Sequence, residues 1–233
     1  MRETVIFGAS RGLGAALAEG VPEPGDTVWC LSRSRPRCLD LGDGVTRHWI
    51  EHDLADPGRF ETVASQLGKR RIDLLIYNAG IWEQSQFEAA PDAEIRAIVD
   101  TNLTSLLLAA RHLMPALRRS PSARVVLIGS TSGLENEGTT SVAYAATKFA
   151  VRGVGHALRE ALRRDGIPVT VISPGSMATD IDFAAGRKAA LDAHAGQRIP
   201  VQDLVDIVRL ICRLSPAACV KELHLPAVAD TDV

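Results

Sequence analysis

Short apolar segments alternate with longer amphipathic segments along the whole chain. Some short segments, such as Leu74-Leu75-Ile76 and Val125-Val126-Leu127-Ile128, are continuously apolar, which is typical of strands buried on both faces of a parallel sheet. The predicted strands are Thr4–Phe7, Thr27–Leu31, Thr46–Ile50, Asp73–Tyr77, Arg124–Ile128, Pro168–Ile172 and Glu222–Leu225. The predicted helices are Leu13–Glu19, Pro57–Leu67, Asp92–Arg119, Val142–Arg164 and Val201–Arg213.

The regular alternation of strands and helices determines the expected architecture. Parallel strands joined through helices need right-handed crossovers, which place helices on both faces of the sheet. We therefore expect an α/β fold of the doubly wound, Rossmann-like type, with about seven parallel strands. Since no linker rich in proline, glycine or serine interrupts the 233 residues, the sequence predicts one domain over residues 1–233.

Charge and composition argue against several classes of partner. The formal net charge is −2, so there is no electrostatic argument for nucleic acid or for an anionic membrane. The densest apolar stretch, Leu106–Ala110, is far too short to span a bilayer. The chain begins with an apolar strand rather than a signal-peptide core, which favours the cytoplasm. The four cysteines and six histidines are scattered, and we expect no metal site.

A glycine-rich turn follows the first predicted strand and opens the first predicted helix. Such a turn aims free backbone N–H groups and the positive end of the helix at an anion. A tight turn without a ligand is the alternative, but a second strand follows at the distance that a dinucleotide site requires. The residues expected to hold the dinucleotide are Gly8, Ser10, Arg11, Gly12, Leu13 and Gly14.

The end of the second predicted strand indicates which dinucleotide binds. An acidic residue there would bind the ribose diol of NAD, but the strand ends Ser32-Arg33, without a carboxylate. Arg33 and Arg11, with the Ser32 hydroxyl, suit the 2′-phosphate of NADP(H), because a guanidinium forms forked, charge-assisted hydrogen bonds. Two solvated surface arginines are the alternative. The sequence predicts NADP(H), with a large preference for NADPH over NADH.

Tyr144 and Lys148 share one face of a predicted helix because they are four residues apart. A tyrosine hydroxyl, with an ordinary pKa of about 10, is a weak acid for proton transfer at neutral pH. We expect the Lys148 ammonium group to favour the phenolate and to lower the pKa of Tyr144. A surface pair on an amphipathic helix is the alternative for an isolated match.

A hydroxyl-rich segment that contains Ser130 follows the predicted strand Arg124–Ile128. Side chains at the carboxyl ends of strands line the ligand crevice of open α/β sheets. A hydroxyl there can bind a substrate carbonyl oxygen and stabilise developing negative charge. An ordinary serine- and threonine-rich loop is the alternative.

In order and spacing, these motifs resemble those of the short-chain dehydrogenase/reductase family over nearly the whole chain. The glycine turn is similar to the family's cofactor turn, and Ser130, Tyr144 and Lys148 are similar to its serine, tyrosine and lysine. Other segments match its adenine contact, its Asn-Ala-Gly signature, its catalytic asparagine and its nicotinamide segment. In that order they are Asp53-Leu54, Asn78-Ala79-Gly80, Asn102, and Pro174-Gly175 with Thr179.

The resemblance implies a role for each residue of the catalytic set. Tyr144 would protonate the carbonyl oxygen during reduction and take the proton back during oxidation. Lys148 would lower the pKa of Tyr144 and hold the nicotinamide ribose. Ser130 would bind the substrate oxygen, and Asn102 would help to hold a water that links Lys148 to solvent.

The identity of the substrate-binding hydroxyl stays open, because the gap from Ser130 to Tyr144 is one residue longer than is usual in the family. Counting back from Tyr144 selects Thr131, whereas matching Gly133 to the family's loop glycine selects Ser130. We prefer Ser130, with Thr131 and Ser132 as alternatives.

The resemblance implies an NADP-dependent carbonyl reductase or alcohol dehydrogenase that acts on a small molecule. An enzyme of the same fold that reduces an imine or enone, or isomerises its substrate, is one alternative, and a non-catalytic NADP-binding regulator is another. The family's long helices commonly pair between subunits, so we expect a homodimer or homotetramer. Candidate substrate contacts are Trp82, Phe87, Phe183 and Arg187, each of which could equally have only a packing or surface role.

Overall fold

Parallel strand pairing forms the centre of the fold. The computed structural model describes residues 1–56, 59–135 and 139–229, and seven strands in these ranges form one all-parallel sheet. These strands are β1 (Glu3–Phe7), β2 (Thr27–Ser32), β3 (Thr46–Glu51), β4 (Leu74–Tyr77), β5 (Arg124–Ile128), β6 (Val169–Pro174) and, last in the chain, β9 (Glu222–Leu225). A separate two-stranded sheet pairs β7 (Met177–Ala178) with β8 (Ile199–Pro200).

Helices cover both faces of the large sheet. They are α1 (Gly12–Gly20), α2 (Arg59–Leu67), α3 (Asp92–Val99), α4 (Ser105–Arg118), α5 (Val142–Ala161), α6 (Gly186–Ala193) and α7 (Val201–Arg213). Residues of α2, α4 and α5 share one buried cluster with Phe7, and residues of α1 and α7 share another with Ile6. Successive strand residues point to opposite faces, which is why these neighbours enter different core layers. The expected doubly wound, Rossmann-like fold is confirmed.

The helices differ from the predicted ones more than the strands do. The helix predicted over Asp92–Arg119 is divided by a π-helical turn, Asp100–Thr104, between α3 and α4. The helix predicted to reach Arg164 ends at Ala161. The short elements α6, β7 and β8 carry too little periodicity to be predicted. The first two residues of the helix predicted over Pro57–Leu67 lie outside the described ranges.

The strand order places a ligand crevice between β1 and β4. Across the sheet the order is β3-β2-β1-β4-β5-β6-β9. The strands β2 and β3 therefore extend from one side of β1, and the chain then crosses to the other side of β1, where β4 and the later strands follow. Ligands of open α/β sheets bind at the carboxyl ends of the strands beside such a reversal. Gly8, after β1, and Asn78, after β4, lie at this edge. Within the described ranges, no helix has the length and apolarity needed to cross a membrane.

Candidate active site

The glycine turn after β1 is packed so closely that side chains are excluded at two positions. Gly8 has a φ of +80°, and a Cβ atom built on it would lie 2.9 Å from the Cα of Ala79. A Cβ on Gly14 would lie 1.9 Å from the carbonyl oxygen of Gly8. Gly14 therefore allows α1 to pack against β1, and Gly8 allows the close approach of Ala79.

The first turn of α1 faces the segment that follows β6. The first N–H groups of a helix have no partner within it, so this end of α1 can bind an anion. Leu13 is buried and anchors the turn, whereas Ser10 is half-buried and Arg11 is exposed. A Cβ on Gly12 would lie 3.1 Å from the Cβ of Thr179, so the two predicted cofactor contacts adjoin each other.

Arg11 and Arg33 are both exposed, and neither guanidinium has an ion-pair or hydrogen-bond partner among the residues that the structure describes. Ser32 is buried at the end of β2, and its hydroxyl donates to the carbonyl oxygen of Ser34 at 2.8 Å. Unlike most arginines of the chain, these two remain available to an anionic ligand.

The predicted adenine contacts lie after β3. Asp53 is exposed, and its Oδ1 accepts a hydrogen bond from the backbone N–H of Ala55 at 3.1 Å. Leu54 is half-buried and packs against the core. The structure thus leaves the Asp53 carboxylate accessible, while Leu54 also contributes to packing.

The Asn-Ala-Gly segment connects the glycine turn to the catalytic residues. Asn78 donates from Nδ2 to the carbonyl oxygen of Gly8 at 3.2 Å. A Cβ on Gly80 would lie 3.5 Å from Lys148 Nζ and 3.6 Å from Asn102 Oδ1. One short segment after β4 therefore contacts both the predicted phosphate site and the predicted catalytic site.

Asn102 is buried in the π-helical turn between α3 and α4. Its Oδ1 accepts from the backbone N–H of Ile81 at 2.8 Å, and its Nδ2 donates to the carbonyl oxygen of Ile81 at 2.8 Å and to Thr147 Oγ1 at 3.0 Å. The Asn102 side chain is therefore occupied in joining three segments of the site, which fixes the position of its backbone.

Ser130, Tyr144 and Lys148 meet at the carboxyl end of β5. The Ser130 hydroxyl accepts from the backbone N–H of Ser132 at 3.2 Å and lies near enough to Tyr144 to lower the pKa of its hydroxyl. Among Ser130, Thr131 and Ser132, Ser130 is the residue whose hydroxyl influences the pKa of Tyr144 within the described residues. Lys148 is fully buried behind the tyrosine and donates from Nζ to the carbonyl oxygen of Ile128 at 3.1 Å.

The electrostatic effect on Tyr144 differs from the one expected. Burial raises the pKa of Tyr144 above its ordinary value, the hydrogen bond with Ser130 lowers it, and the negative charge of Glu83 raises it again. Within the described residues, Lys148 does not lower the pKa of Tyr144 as expected. Its Nζ donates to the carbonyl oxygen of Ile128 and lies 5.4 Å from the centroid of the tyrosine ring. Burial also lowers the pKa of Lys148 itself, to about 8.

Glu83 is a buried residue of this site that the sequence does not indicate. Its Oε1 accepts hydrogen bonds from the backbone N–H groups of Ala143 at 2.6 Å and of Tyr144 at 3.2 Å. It lies in an irregular segment after β4, where a single glutamate has no distinguishing pattern. Only the packing of that segment against α5 brings it to the helix.

In the segment after β6, two of the candidate substrate contacts have the packing and surface roles that the sequence left open as alternatives. Phe183 packs on Gly20, where a Cβ would lie 2.5 Å from the phenyl ring, and Arg187 donates to Asp203 at 2.6 Å and also pairs with Asp206. Both side chains thus attach the segment to α1 and α7 rather than projecting into an open cleft.

Several other predicted residues lie around the same edge. The backbone N–H of Gly175, after the buried Pro174, donates to the carbonyl oxygen of Leu225 at 2.9 Å. Trp82 and Phe87 are 58% and 41% exposed, so neither is a core residue. They remain candidates for contact with a ligand.

Comparison with known proteins identifies the family. The sequence matches the family described as short chain dehydrogenase over residues 2–189. A rhamnolipids biosynthesis 3-oxoacyl-[acyl-carrier-protein] reductase of Pseudomonas aeruginosa is 32% identical over 184 residues, which cover 75% of this chain and 72% of that protein. The 3-oxoacyl-[acyl-carrier-protein] reductase FabG of Salmonella typhimurium is 30% identical over 185 residues, covering 77% and 75%.

Solved structures show the same relationship. The Pseudomonas aeruginosa RhlG/NADP active-site complex superposes with a TM-score of 0.82 and 26% identity, over 100% of this chain and 96% of that chain. A short-chain dehydrogenase of Streptomyces avermitilis superposes with a TM-score of 0.80 and 26% identity, over 98% and 89%. The chain therefore belongs to the short-chain dehydrogenase/reductase family.

Proposed function

We propose that this protein is an NADP(H)-dependent carbonyl reductase or alcohol dehydrogenase that acts on a small molecule. The observation that carries the proposal is the grouping of Ser130, Tyr144, Lys148 and Asn102 at the same sheet edge as the glycine turn. Relatives of this chain that are named as 3-oxoacyl-[acyl-carrier-protein] reductases support carbonyl reduction as the reaction class.

The residues at the phosphate end fit a phosphorylated dinucleotide. Gly8, Gly12 and Gly14 expose backbone at the start of α1, where a pyrophosphate is stabilised. Arg11 and Arg33 have guanidinium groups without partners among the described residues, and these suit a 2′-phosphate, with Ser32 beside Arg33. The NADP bound to RhlG, a protein of the same fold, supports the same choice here.

The remaining contacts to the cofactor are proposed from the segments that adjoin the turn. Asp53 and Leu54 would contact the adenine, and Lys148 the nicotinamide ribose. The other proposed contacts are Ser10, Leu13, Asn78, Ala79, Gly80, Tyr144, Pro174, Gly175 and Thr179. When bound, NADPH supplies the hydride, and the protein orients it and controls the proton.

The catalytic residues divide the handling of the substrate oxygen between them. Ser130 holds the carbonyl oxygen and stabilises the negative charge that develops on it. Tyr144 donates its hydroxyl proton to that oxygen during reduction and removes it during oxidation. Lys148 supplies positive charge beside the tyrosine. Asn102 holds together the segments that surround Tyr144 and Lys148.

The protonation state of Tyr144 in the protein alone suits the donation of a proton. A tyrosine with its ordinary pKa of about 10 is already protonated at neutral pH, and burial raises the pKa of Tyr144 further, so the hydroxyl carries the proton that a reduction requires. The ammonium group of Lys148, whose pKa is about 8, is largely protonated at the same pH. A carbonyl reduction by NADPH consumes one proton, which Tyr144 donates, and the protonated Lys148 beside it keeps its positive charge.

We also propose that the chain acts as one domain and assembles as a homodimer or homotetramer. The outer faces of α4 and α5 carry exposed apolar side chains, namely Leu107 at 49%, Val142 at 46% and Phe149 at 43% exposure. Apolar side chains on two adjacent helices favour helix pairing between subunits.

The test is NADPH oxidation measured over a panel of ketones, aldehydes, imines and 3-oxoacyl thioesters, with Tyr144→Phe as the matched variant. We expect turnover with at least one carbonyl class and a loss of at least about 100-fold in Tyr144→Phe. The fluorescence of bound NADPH should show equal affinity in both proteins. Near-full turnover by Tyr144→Phe would reject the mechanism, and binding without turnover by the natural protein would favour a regulator.

A further inference from the structure

The first turn of α5, which carries Tyr144, is capped by a side chain from another part of the chain. Glu83 Oε1 accepts from the backbone N–H groups of Ala143 and Tyr144, the second and third residues of the helix. These are the groups that a local cap residue normally satisfies. Ser141 occupies the cap position, but its side chain makes no capping hydrogen bond within the described residues.

Glu83 is held in place independently of α5. It is only 8% exposed, and the next residue, Gln84, donates its backbone N–H to Glu94 Oε1 on α3 at 2.6 Å. Glu83 Oε2 is buried without a hydrogen-bond partner in the described part of the chain. A carboxylate is costly to bury. The two hydrogen bonds to Oε1 do not by themselves require a charged group, so we expect the charge to have an effect of its own.

The charge of Glu83 acts directly on the tyrosine. The positive end of a helix stabilises a phenolate in its first turn, and a carboxylate at that end opposes this effect. The other charged or titratable groups on the elements around Tyr144 are Lys148, Arg152, His156, Arg159 and Glu160 on α5, Glu88 after β4, Glu135 beyond the turn after β5, and Asp92, Glu94, Arg96 and Asp100 on α3 and the π-helical turn. Among these groups, Glu83 alone has a resolved effect on the pKa of Tyr144, and it raises it.

We propose that Glu83 is a positioning residue for proton transfer, which fixes the Tyr144 backbone through Oε1 and keeps the Tyr144 hydroxyl protonated through its charge. The expected effect of Glu83 on turnover rests on the proposed function, whereas its expected effect on the protonation of the Tyr144 hydroxyl does not. In a reduction, Glu83 extends to higher pH the range over which Tyr144 can donate its proton.

Two substitutions separate the two roles. Glu83→Gln keeps an oxygen that can accept both backbone bonds and removes the charge, and its Nε2 replaces an Oε2 that has no partner in the described residues. Glu83→Ala removes the bonds and the charge together. Glu88→Gln is the matched control, because Glu88 is an exposed glutamate on the same segment.

The first measurement is the titration of Tyr144 followed by NMR of tyrosine labelled at Cζ. The chain has two tyrosines, Tyr77 and Tyr144, and Tyr144→Phe assigns the signals. We expect Glu83→Gln to move the Tyr144 midpoint to lower pH and Glu88→Gln to leave it in place. An unchanged or higher midpoint in Glu83→Gln would overturn the electrostatic role, whether or not any substrate has been found.

The second measurement is the pH profile of carbonyl reduction with the best substrate of the panel. Glu83→Gln should move the alkaline fall of the profile to lower pH, whereas Glu88→Gln should keep the natural kcat and the natural profile. Glu83→Ala should lose about 10- to 100-fold in kcat, with little change in KM for NADPH, because the tyrosine is misplaced. Natural kcat in Glu83→Ala, with circular dichroism showing a folded protein, would overturn the positioning role.

Discussion

Asn102 and Ile81 are joined by two hydrogen bonds, one from the Ile81 N–H to Asn102 Oδ1 and one from Asn102 Nδ2 to the Ile81 carbonyl oxygen, each 2.8 Å long. Both polar ends of the amide are therefore used by one residue of the segment after β4. Since Nδ2 also donates to Thr147, the side chain connects this segment and the π-helical turn to the helix that carries Tyr144.

Asn102→Asp should damage both stability and turnover. A carboxylate oxygen in place of Nδ2 would face the Ile81 carbonyl and cannot donate to it. We expect a loss of about 1–3 kcal/mol in unfolding free energy, measured by urea denaturation, and at least tenfold slower turnover, on the order expected for a displaced site. The control is Asp100→Asn, an exposed change on the same turn. Natural stability in Asn102→Asp would contradict this account.

Arg33→Ala should reduce the preference for NADPH over NADH. A charge-assisted bond to the 2′-phosphate contributes about 1.5–3 kcal/mol, which is roughly a 10- to 100-fold increase in KM for NADPH on its loss. KM for NADH should change little. Arg35→Ala is the control, because Arg35 lies on the same segment but pairs with Asp40. Equal kcat/KM for the two cofactors in the natural enzyme would refute the assignment.

Gly14→Ala should prevent tight cofactor binding. The new Cβ would lie 1.9 Å from the Gly8 carbonyl oxygen and 2.7 Å from Asn78 Nδ2, so the turn must move. We expect a loss of about 1–3 kcal/mol in stability and a large drop in NADPH affinity, measured by fluorescence titration. Gly153→Ala is the control, since a Cβ there would meet open space outside its own helix among the described residues, and it should stabilise α5 by about 1 kcal/mol. Equal affinities in the two variants would count against the packing argument.

His52 should make the protein sensitive to mild acid. Its ring is buried with both nitrogens unpartnered in the described residues, and its centroid lies 4.7 Å from that of Phe60 and 6.0 Å from that of Phe7. Burial, aided by Arg59, lowers the pKa of His52, although Asp53 and Asp56 act in the opposite sense.

The sign of that effect follows from proton uptake. Below its ordinary pKa of about 6.5, the unfolded histidine binds a proton that the folded one does not, so stability falls as pH falls toward the folded pKa. The slope for one proton is at most about 1.4 kcal/mol per pH unit. Urea denaturation between neutral and mildly acidic pH should show this loss in the natural protein and a smaller one in His52→Leu. The matched variant is His48→Leu, and an identical acid profile in all three proteins would disprove the assignment.

The parts of the site that sequence predicts best are those whose chemistry requires a particular residue type at a fixed spacing. The glycines of the cofactor turn are needed because backbone approaches backbone there, as the contacts of Gly8 and Gly14 show. Tyr144 and Lys148 share a helix face whatever the rest of the chain does. Spacing alone left the hydroxyl uncertain, because Ser130, Thr131 and Ser132 are adjacent and the turn that orients them depends on Ser130 accepting from Ser132.

Local sequence determined the alternation of strand and helix, the position of the glycine turn and the residue types of the catalytic set, since each depends on periodicity or on steric demands within a few residues. Tertiary structure alone decided the direction of the Tyr144 pKa shift, because that depends on burial, on Ser130 and on Glu83, which lies 61 residues earlier in the chain. It also decided that Lys148 turns to Ile128 and that Phe183 packs on Gly20. Electrostatic and packing energies depend on distance in space, which the order of residues along the chain does not specify.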